Sequence, residues 1–191
     1  MKHKLILSVI FFLLPILPVY SWEYEIGGGV KYFDPSDELF SEFYGPGASY
    51  GLVSHFWRGT GLGLIFDLSY FNARRTYMGD KYLVEAYSFS PALAYYFPED
   101  EKLIPYLGIG FTLCYSIERN MVYGKSVDDF DLAYQVNAGI EFKFRRVRPY
   151  FQMAFRSIPG EEEGINLSGW LTEIGIQVLL NKPKPTKPSP R

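Results

Sequence analysis

The sequence predicts an all-β protein, an eight-stranded antiparallel up-and-down transmembrane β-barrel. Three observations predict it. From Leu103 to Ile117 every second residue is large and apolar (Leu107, Ile109, Phe111, Leu113, Tyr115, Ile117), while the intervening set is small or polar (Gly108, Gly110, Thr112, Cys114, Ser116). A period of two places these sets on opposite faces of a strand and cannot lie on one face of a helix. The same texture recurs along the chain, and with 18% aromatic residues the composition is rich for a soluble domain. The chain also opens with the marks of export, and no later apolar run is long enough for a spanning helix.

The export signal is Met1-Lys-His-Lys followed by an apolar stretch from Leu5 to Tyr20 and small Ser21 at the break, so residues 1–21 are expected to be a signal peptide. Residues 22–181 form one barrel domain and 182–191 a Pro- and Lys-rich tail, too rich in proline for a helix or strand. Cys114 is the one cysteine, so no disulfide framework is available, and a net charge of −2 gives no reason to expect nucleic acid.

The first strand is Glu23 to Phe33, with Tyr24, Ile26, Val30 and Tyr32 opposite Glu23, Glu25, Gly27, Gly29 and Lys31. Asp34 to Gly47 reads as a polar loop, Ala48 to Trp57 as the second strand, and Arg58-Gly-Thr as a tight turn. The third strand is Gly61 to Ala73, with Leu62, Leu64, Phe66, Leu68 and Tyr70 opposite Gly61, Gly63, Asp67 and Ser69. Arg74 to Tyr82 reads as a loop, and the fourth strand as Leu83 to Phe97, with a bulge expected at Pro91, which cannot donate to a ladder. Pro98 to Lys102 turns the chain into the fifth strand, Leu103 to Ile117. Glu118 to Asp131 is the longest expected loop. Leu132 to Phe144, Pro149 to Ile158 and Ser168 to Leu180 complete the eight, joined by an Arg145–Arg148 turn and by a loop carrying Glu161-Glu-Glu. Long and short connections alternate, as in a barrel with one elaborated rim.

Volume decides which face meets lipid. An eight-stranded interior is just wide enough for side chains to fill it or to hold one small ligand. Several large residues per strand cannot all point inward, so the alternative of a soluble lipocalin-like cup gives way to a barrel with its aromatic face outward. Five outward residues on a strand tilted by ~40° span about 25 Å, the height of an apolar membrane band. Aromatic residues gather at both ends of the strands: Trp22, Tyr24, Phe56, Tyr95, Phe97, Phe142 and Phe144 at one, Tyr32, Tyr50, Tyr70, Tyr87, Tyr115, Tyr134 and Trp170 at the other. Ile109→Lys, at the lipid midplane, is expected to be costly and Gly110→Ser, on the small face, much less so.

The pattern resembles the small bacterial outer-membrane β-barrels, the eight-stranded porin-like and opacity-protein-like family. Ile104-Pro-Tyr-Leu-Gly-Ile-Gly and Arg148-Pro-Tyr-Phe look like strand openings common there, and Glu173, Gly175, Val178 and Leu180 look like its C-terminal assembly signal. This strand ends in Leu180-Asn181, where the family usually ends on an aromatic residue. The resemblance implies outer-membrane residence in a Gram-negative envelope, contact with outer-membrane lipid, periplasmic termini, four exposed loops and a monomer.

The inward charges are Glu23, Glu25, Lys31, His55, Asp67, Glu141, Lys143, Arg156 and Glu173. A buried charge is costly unless paired, so Arg156 is expected to meet Asp67, Glu173 or both at mid-height. The set Asp67, Arg156, Glu173, Glu25, Lys31, Glu141 and Lys143 is then a lumen network, read either as a structural plug or as the gate of a narrow path. His55 faces inward near a short turn, away from any outer-leaflet substrate, so no catalytic residue, cofactor or metal is assigned. The acidic loops suit solvent better than a divalent cation, Arg74, Arg75 and Lys81 are candidates for lipid phosphates, and the tail for weak contact with an acidic cell-wall polymer. The expected function is non-enzymatic, structural or surface-interacting through the exposed loops. The alternatives are a narrow channel for small, even hydrophobic, molecules and, behind it, a lipid-modifying barrel enzyme.

Overall fold

The computed structural model describes residues 23–57, 61–97, 102–158 and 166–181. The expected signal peptide, the Arg58 turn, the Pro98 turn, Glu161 to Glu163 and the tail lie outside the described residues. Eight strands close into one antiparallel barrel in which each pairs with its sequence neighbours and the first with the last. They are β1 (Glu23–Pro35), β2 (Gly47–Trp57), β3 (Gly61–Tyr77), β4 (Asp80–Tyr96), β5 (Leu103–Asn120), β6 (Lys125–Phe142), β7 (Val147–Ser157) and β8 (Gly169–Asn181). One helix, α1 (Glu38–Phe43), lies between β1 and β2.

The faces fall as the alternation requires. Ile26, Leu52, Leu68, Leu93, Ile109, Val136, Met153 and Ile174 are exposed on the outside of the cylinder, and Glu25, Lys31, Asp67, Thr112, Asn137, Gln152 and Glu173 are buried within it. The outer aromatic residues pair across strands at both ends, Tyr24 with Phe56 at 4.4 Å and Tyr70 with Tyr87 at 5.0 Å between ring centroids. Such belts suit a membrane interface, where a ring keeps one edge apolar and one wet. Ile109, 64% exposed in the middle of β5, is therefore a lipid contact. Ile109→Lys is expected to cost about 2–4 kcal/mol in a bilayer. Ile109→Leu should cost less than about 1.5 kcal/mol. Urea unfolding from lipid vesicles measures both, and equal losses would refute the face assignment.

Two expected loops are strand. β3 and β4 pair continuously to Tyr77↔Asp80, and β5 and β6 to Asn120↔Lys125. The four strands β3 to β6 run 17 or 18 residues, against 11 to 13 for the other four. Above the membrane both faces of a strand are wet, so the ladder of backbone hydrogen bonds continues while the hydrophobic alternation that announces it stops. The β3–β4 turn has positive φ at Met78 (50°) and Gly79 (89°), the two-residue geometry whose twist matches a hairpin. At the β5–β6 turn the Asn120 side chain accepts from the N–H groups of Val122 (2.9 Å) and Tyr123 (3.2 Å). The two hairpins are tied together, because the Met121 N–H donates to the Lys81 carbonyl at 2.7 Å and Asn120 Nδ2 to Asp80 Oδ2 at 3.2 Å.

No bulge forms at Pro91. The β4–β5 ladder runs to Phe89↔Leu113, skips the two pairs at Ser90 and Pro91, and resumes at Ala92↔Gly110 in the same register. Pro91 withholds one bond but faces outward, so the strand need not bend. Beside it, a Cβ on Gly110 would overlap the Pro91 carbonyl oxygen and Ala92 Cα. Gly110→Ser is thus not the mild change that its small face suggests, because main chain, not open lumen, fills the space.

The remaining difference is α1, in a segment read as a polar loop. Asp37 caps it, its Oδ1 accepting from the Phe40 N–H at 2.7 Å. Phe40 is buried and packs against Phe33 and Phe71, each at 6.2 Å, so the helix covers the elaborated end of the lumen. Burial, then the charge of Glu118, pushes the Tyr44 phenol at its C-terminus above its ordinary range.

Candidate functional site

The lumen is filled in tiers. At the plain rim Arg148, at the start of β7, is 3% exposed and gathers three carboxylates. Its Nη2 donates to Glu23 Oε2 at 2.6 Å, its Nη1 pairs with Glu25 Oε1, and Glu141 Oε2 lies 3.6 Å from Nη1. His55 is fully buried beside them, its Nδ1 2.6 Å from Glu141 Oε1 and 3.0 Å from the Tyr96 hydroxyl, its Nε2 3.2 Å from Gln177 Nε2. With the proton on Nδ1, the ring donates to Glu141 and accepts from Gln177, which makes the neutral tautomer self-consistent.

Glu25, His55 and Glu141 bring one nitrogen and two oxygen donors within 4.8 Å of one another, a set whose chemistry suits zinc. The ring nitrogens are already committed, however, although Glu141 Oε2 accepts no hydrogen bond among the described residues. Both ring nitrogens have protein partners, and the Arg148 guanidinium lies against both carboxylates and supplies the positive charge that an ion would. The cluster is an ion-pair and hydrogen-bond network.

At mid-height Lys31 from β1 pairs with Asp67 from β3, and its Nζ lies 3.4 Å from Glu173 Oε2 on β8. The Tyr150 hydroxyl donates to Glu173 Oε1 at 2.5 Å, and that of Tyr106 to Gln152 Oε1 at 2.7 Å. Ser90, Thr112 and Gln135 continue the network across the barrel, with Ser90 Oγ 2.8 Å from Thr112 Oγ1 and Thr112 donating to Gln135 Oε1 at 2.9 Å. Below these groups Val53, Ile65, Tyr96, Ile104 and Tyr106 pack together. Above them Phe33, Phe71, Leu167 and Leu171 form a second apolar cluster under Phe40.

Six of the seven sequence-assigned lumen residues, Glu25, Lys31, Asp67, Glu141, Arg156 and Glu173, are buried inside the barrel; Lys143 is half-buried at the rim past the end of β6. The pairing differs from expectation. Asp67 and Glu173 meet Lys31, while Arg156 donates to Ser88 Oγ at 3.3 Å and, among the described residues, has no carboxylate within ion-pair distance. Register is the reason. Lys31 stands directly opposite Glu173 across the β1–β8 seam, whereas on β8 Arg156 faces Gly169, four residues nearer the elaborated rim. Arg156 there borders a cavity of about 10 Å³, the volume of about one water. The sequence reading missed Arg148, assigned to a turn, and gave the inward tyrosines Tyr96, Tyr106 and Tyr150 no part in the network. Arg148 shares the parity of Tyr150, Gln152 and Arg156, and that was the signal available.

The family model described as an outer membrane protein beta-barrel domain matches residues 5–154. No curated protein sequence matches the chain. Among solved structures the fold is similar to Neisserial surface protein A (16% identity, TM-score 0.56, 83% of this chain and 96% of that one). It is similar also to the outer membrane protein OprG from Pseudomonas aeruginosa (15%, 0.57, with the same coverage). A third is Ail, the attachment invasion locus protein of Yersinia pestis, in complex with the heparin analogue sucrose octasulfate (12%, 0.53, 82% of this chain and 96% of that one).

Proposed function

The chain belongs to the outer-membrane β-barrel protein family, and from that membership we propose that it is a closed, non-enzymatic scaffold of the cell outer membrane that presents a binding platform at the cell surface. The observation that carries the reading is the contrast between the two halves of the molecule. The lumen is crossed, among the described residues, by two apolar clusters and two ion-pair tiers, and this supports the closed reading. The length of the chain is spent instead on β3 to β6, raised above the tyrosine belt as one hydrogen-bonded sheet. Elaborated rims of such barrels face outward. The tips of this sheet carry exposed Tyr77, Met78, Met121, Val122 and Tyr123, more apolar surface than a purely structural loop requires. The complex of Ail with a heparin analogue makes surface binding compatible with this architecture.

The surroundings of the one described histidine support the non-enzymatic reading. His55 is enclosed at the plain rim among Glu141, Tyr96 and Gln177, with no serine or cysteine among its bonded partners.

Planar-bilayer recording of the refolded wild type tests the closed lumen. No steady conductance is expected, and a steady open level would instead favour the narrow-channel reading. Orientation is tested separately with Ser126→Cys, an exposed position beside the β5–β6 turn. A membrane-impermeant maleimide should label it on intact cells, and labelling only after lysis would overturn the surface assignment.

A further inference from the structure

Among the described residues Arg156 is a buried charge that no protein group neutralises. It stands on the inward face of β7 and is 5% exposed. It makes one hydrogen bond, from Nη2 to Ser88 Oγ at 3.3 Å, and its Nε has no acceptor among the described residues. Its neighbours across the ladders are Gln135 on β6 and Gly169 on β8. The buried acids of those strands, Asp131 and Glu173, each stand four residues further along, a rise of about 13 Å. Neither lies within ion-pair distance of Arg156, and Glu173 is engaged by Lys31 and Tyr150.

The small cavity beside Arg156 has Ser49, Ser69 and Ser88 on its wall, together with apolar side chains that include Phe33, Phe71 and Leu171. Ser49 donates to the Tyr70 carbonyl at 2.8 Å, and Ser69 and Ser88 share one hydrogen bond at 2.6 Å. One hydroxyl proton of that pair therefore has no acceptor among the described residues. The walls offer spare donors and a positive charge, and no carboxylate lines them. A buried lysine or acid escapes its burial cost by exchanging a proton, but a guanidinium stays charged. A water would satisfy its N–H groups and leave the charge uncompensated inside a barrel surrounded by lipid. We propose that this cavity binds a small monovalent anion of halide size, such as chloride, held by Arg156 and the Ser69–Ser88 hydroxyl pair. Volume sets the class, because about 10 Å³ admits one water-sized occupant and excludes sulfate or phosphate.

The test measures urea unfolding of the full barrel from lipid vesicles, in sodium chloride and in sodium gluconate of equal ionic strength. Each protein is refolded in the salt in which it is measured, so a closed lumen need not open to admit the ion. For the wild type, physiological chloride in place of gluconate should lower the unfolding constant about fivefold, as expected for an ion bound only to the folded state at a few times its Kd. Arg156→Gln should abolish that difference, while Lys102→Gln, an exposed cation beyond the plain rim, should respond as the wild type does. Equal responses from wild type and Arg156→Gln overturn the proposal. A sulfate effect that Arg156→Gln also abolishes overturns the halide class, since sulfate is too large for the cavity. Wild-type crystals grown in sodium bromide keep the test decisive if Arg156→Gln fails to fold. An anomalous bromide peak is expected beside the Arg156 guanidinium, and a water alone at that position would overturn the assignment.

Discussion

Replacing Arg148 by methionine is expected to cost about 3–5 kcal/mol of unfolding free energy, the range for removing one partner of a buried ion pair. The side chain is nearly fully enclosed, and its guanidinium lies against Glu23, Glu25 and Glu141, which come from two different strands. Methionine preserves most of the volume, so the loss measures charge rather than packing. Without the guanidinium three carboxylates face one another beside a His55 whose ring nitrogens already meet Glu141, Tyr96 and Gln177. Adding Glu25→Gln to Arg148→Met should therefore recover part of the loss, because it removes one of the charges left unpaired. Urea midpoints in lipid vesicles, followed by tryptophan fluorescence, compare the three proteins. A single variant within about 1 kcal/mol of wild type would mean that the tier is not organised around Arg148.

How much of this was legible in the sequence depends on whether lipid lay against the residue. Within the membrane band one face must be apolar and the other fit a narrow lumen, so alternation from Ile26 to Val178 announces strand, face and number. Outside the band the constraint lapses. Arg74-Arg-Thr-Tyr and Lys81-Tyr-Leu-Val carry no clean period, although they are as thoroughly paired as the strands below them. Arg148 was lost for a related reason, because Arg145-Arg-Val-Arg reads as one basic turn until the ladder is seen to begin at Val147. The lumen residues themselves were legible by parity, which needs only a correct strand. Their partners were not, because partnership depends on stagger between strands distant in sequence. Lys31 and Glu173 are paired by barrel closure, a contact that no local pattern encodes.

That distinction yields the second large effect. Lys31→Met is expected to cost about 3–5 kcal/mol, and Arg156→Met no more than about 1 kcal/mol, although both remove one buried cation from the same lumen. Lys31 is the positive charge between Asp67 and Glu173, both buried, and Glu173 is further held by the Tyr150 hydroxyl. Its loss strands two carboxylates at the centre of the barrel, across the seam that closes it. Arg156 makes one 3.3 Å hydrogen bond to Ser88 beside a cavity large enough for a water, so the group it leaves behind can be solvated. The sequence alone favours the reverse order, with Arg156 as the hub between the two acids. Parallel urea titrations of the two variants separate the readings: a greater loss for Arg156→Met would restore the arginine to the centre of the network, and the observed register at the β1–β8 seam would have to be wrong.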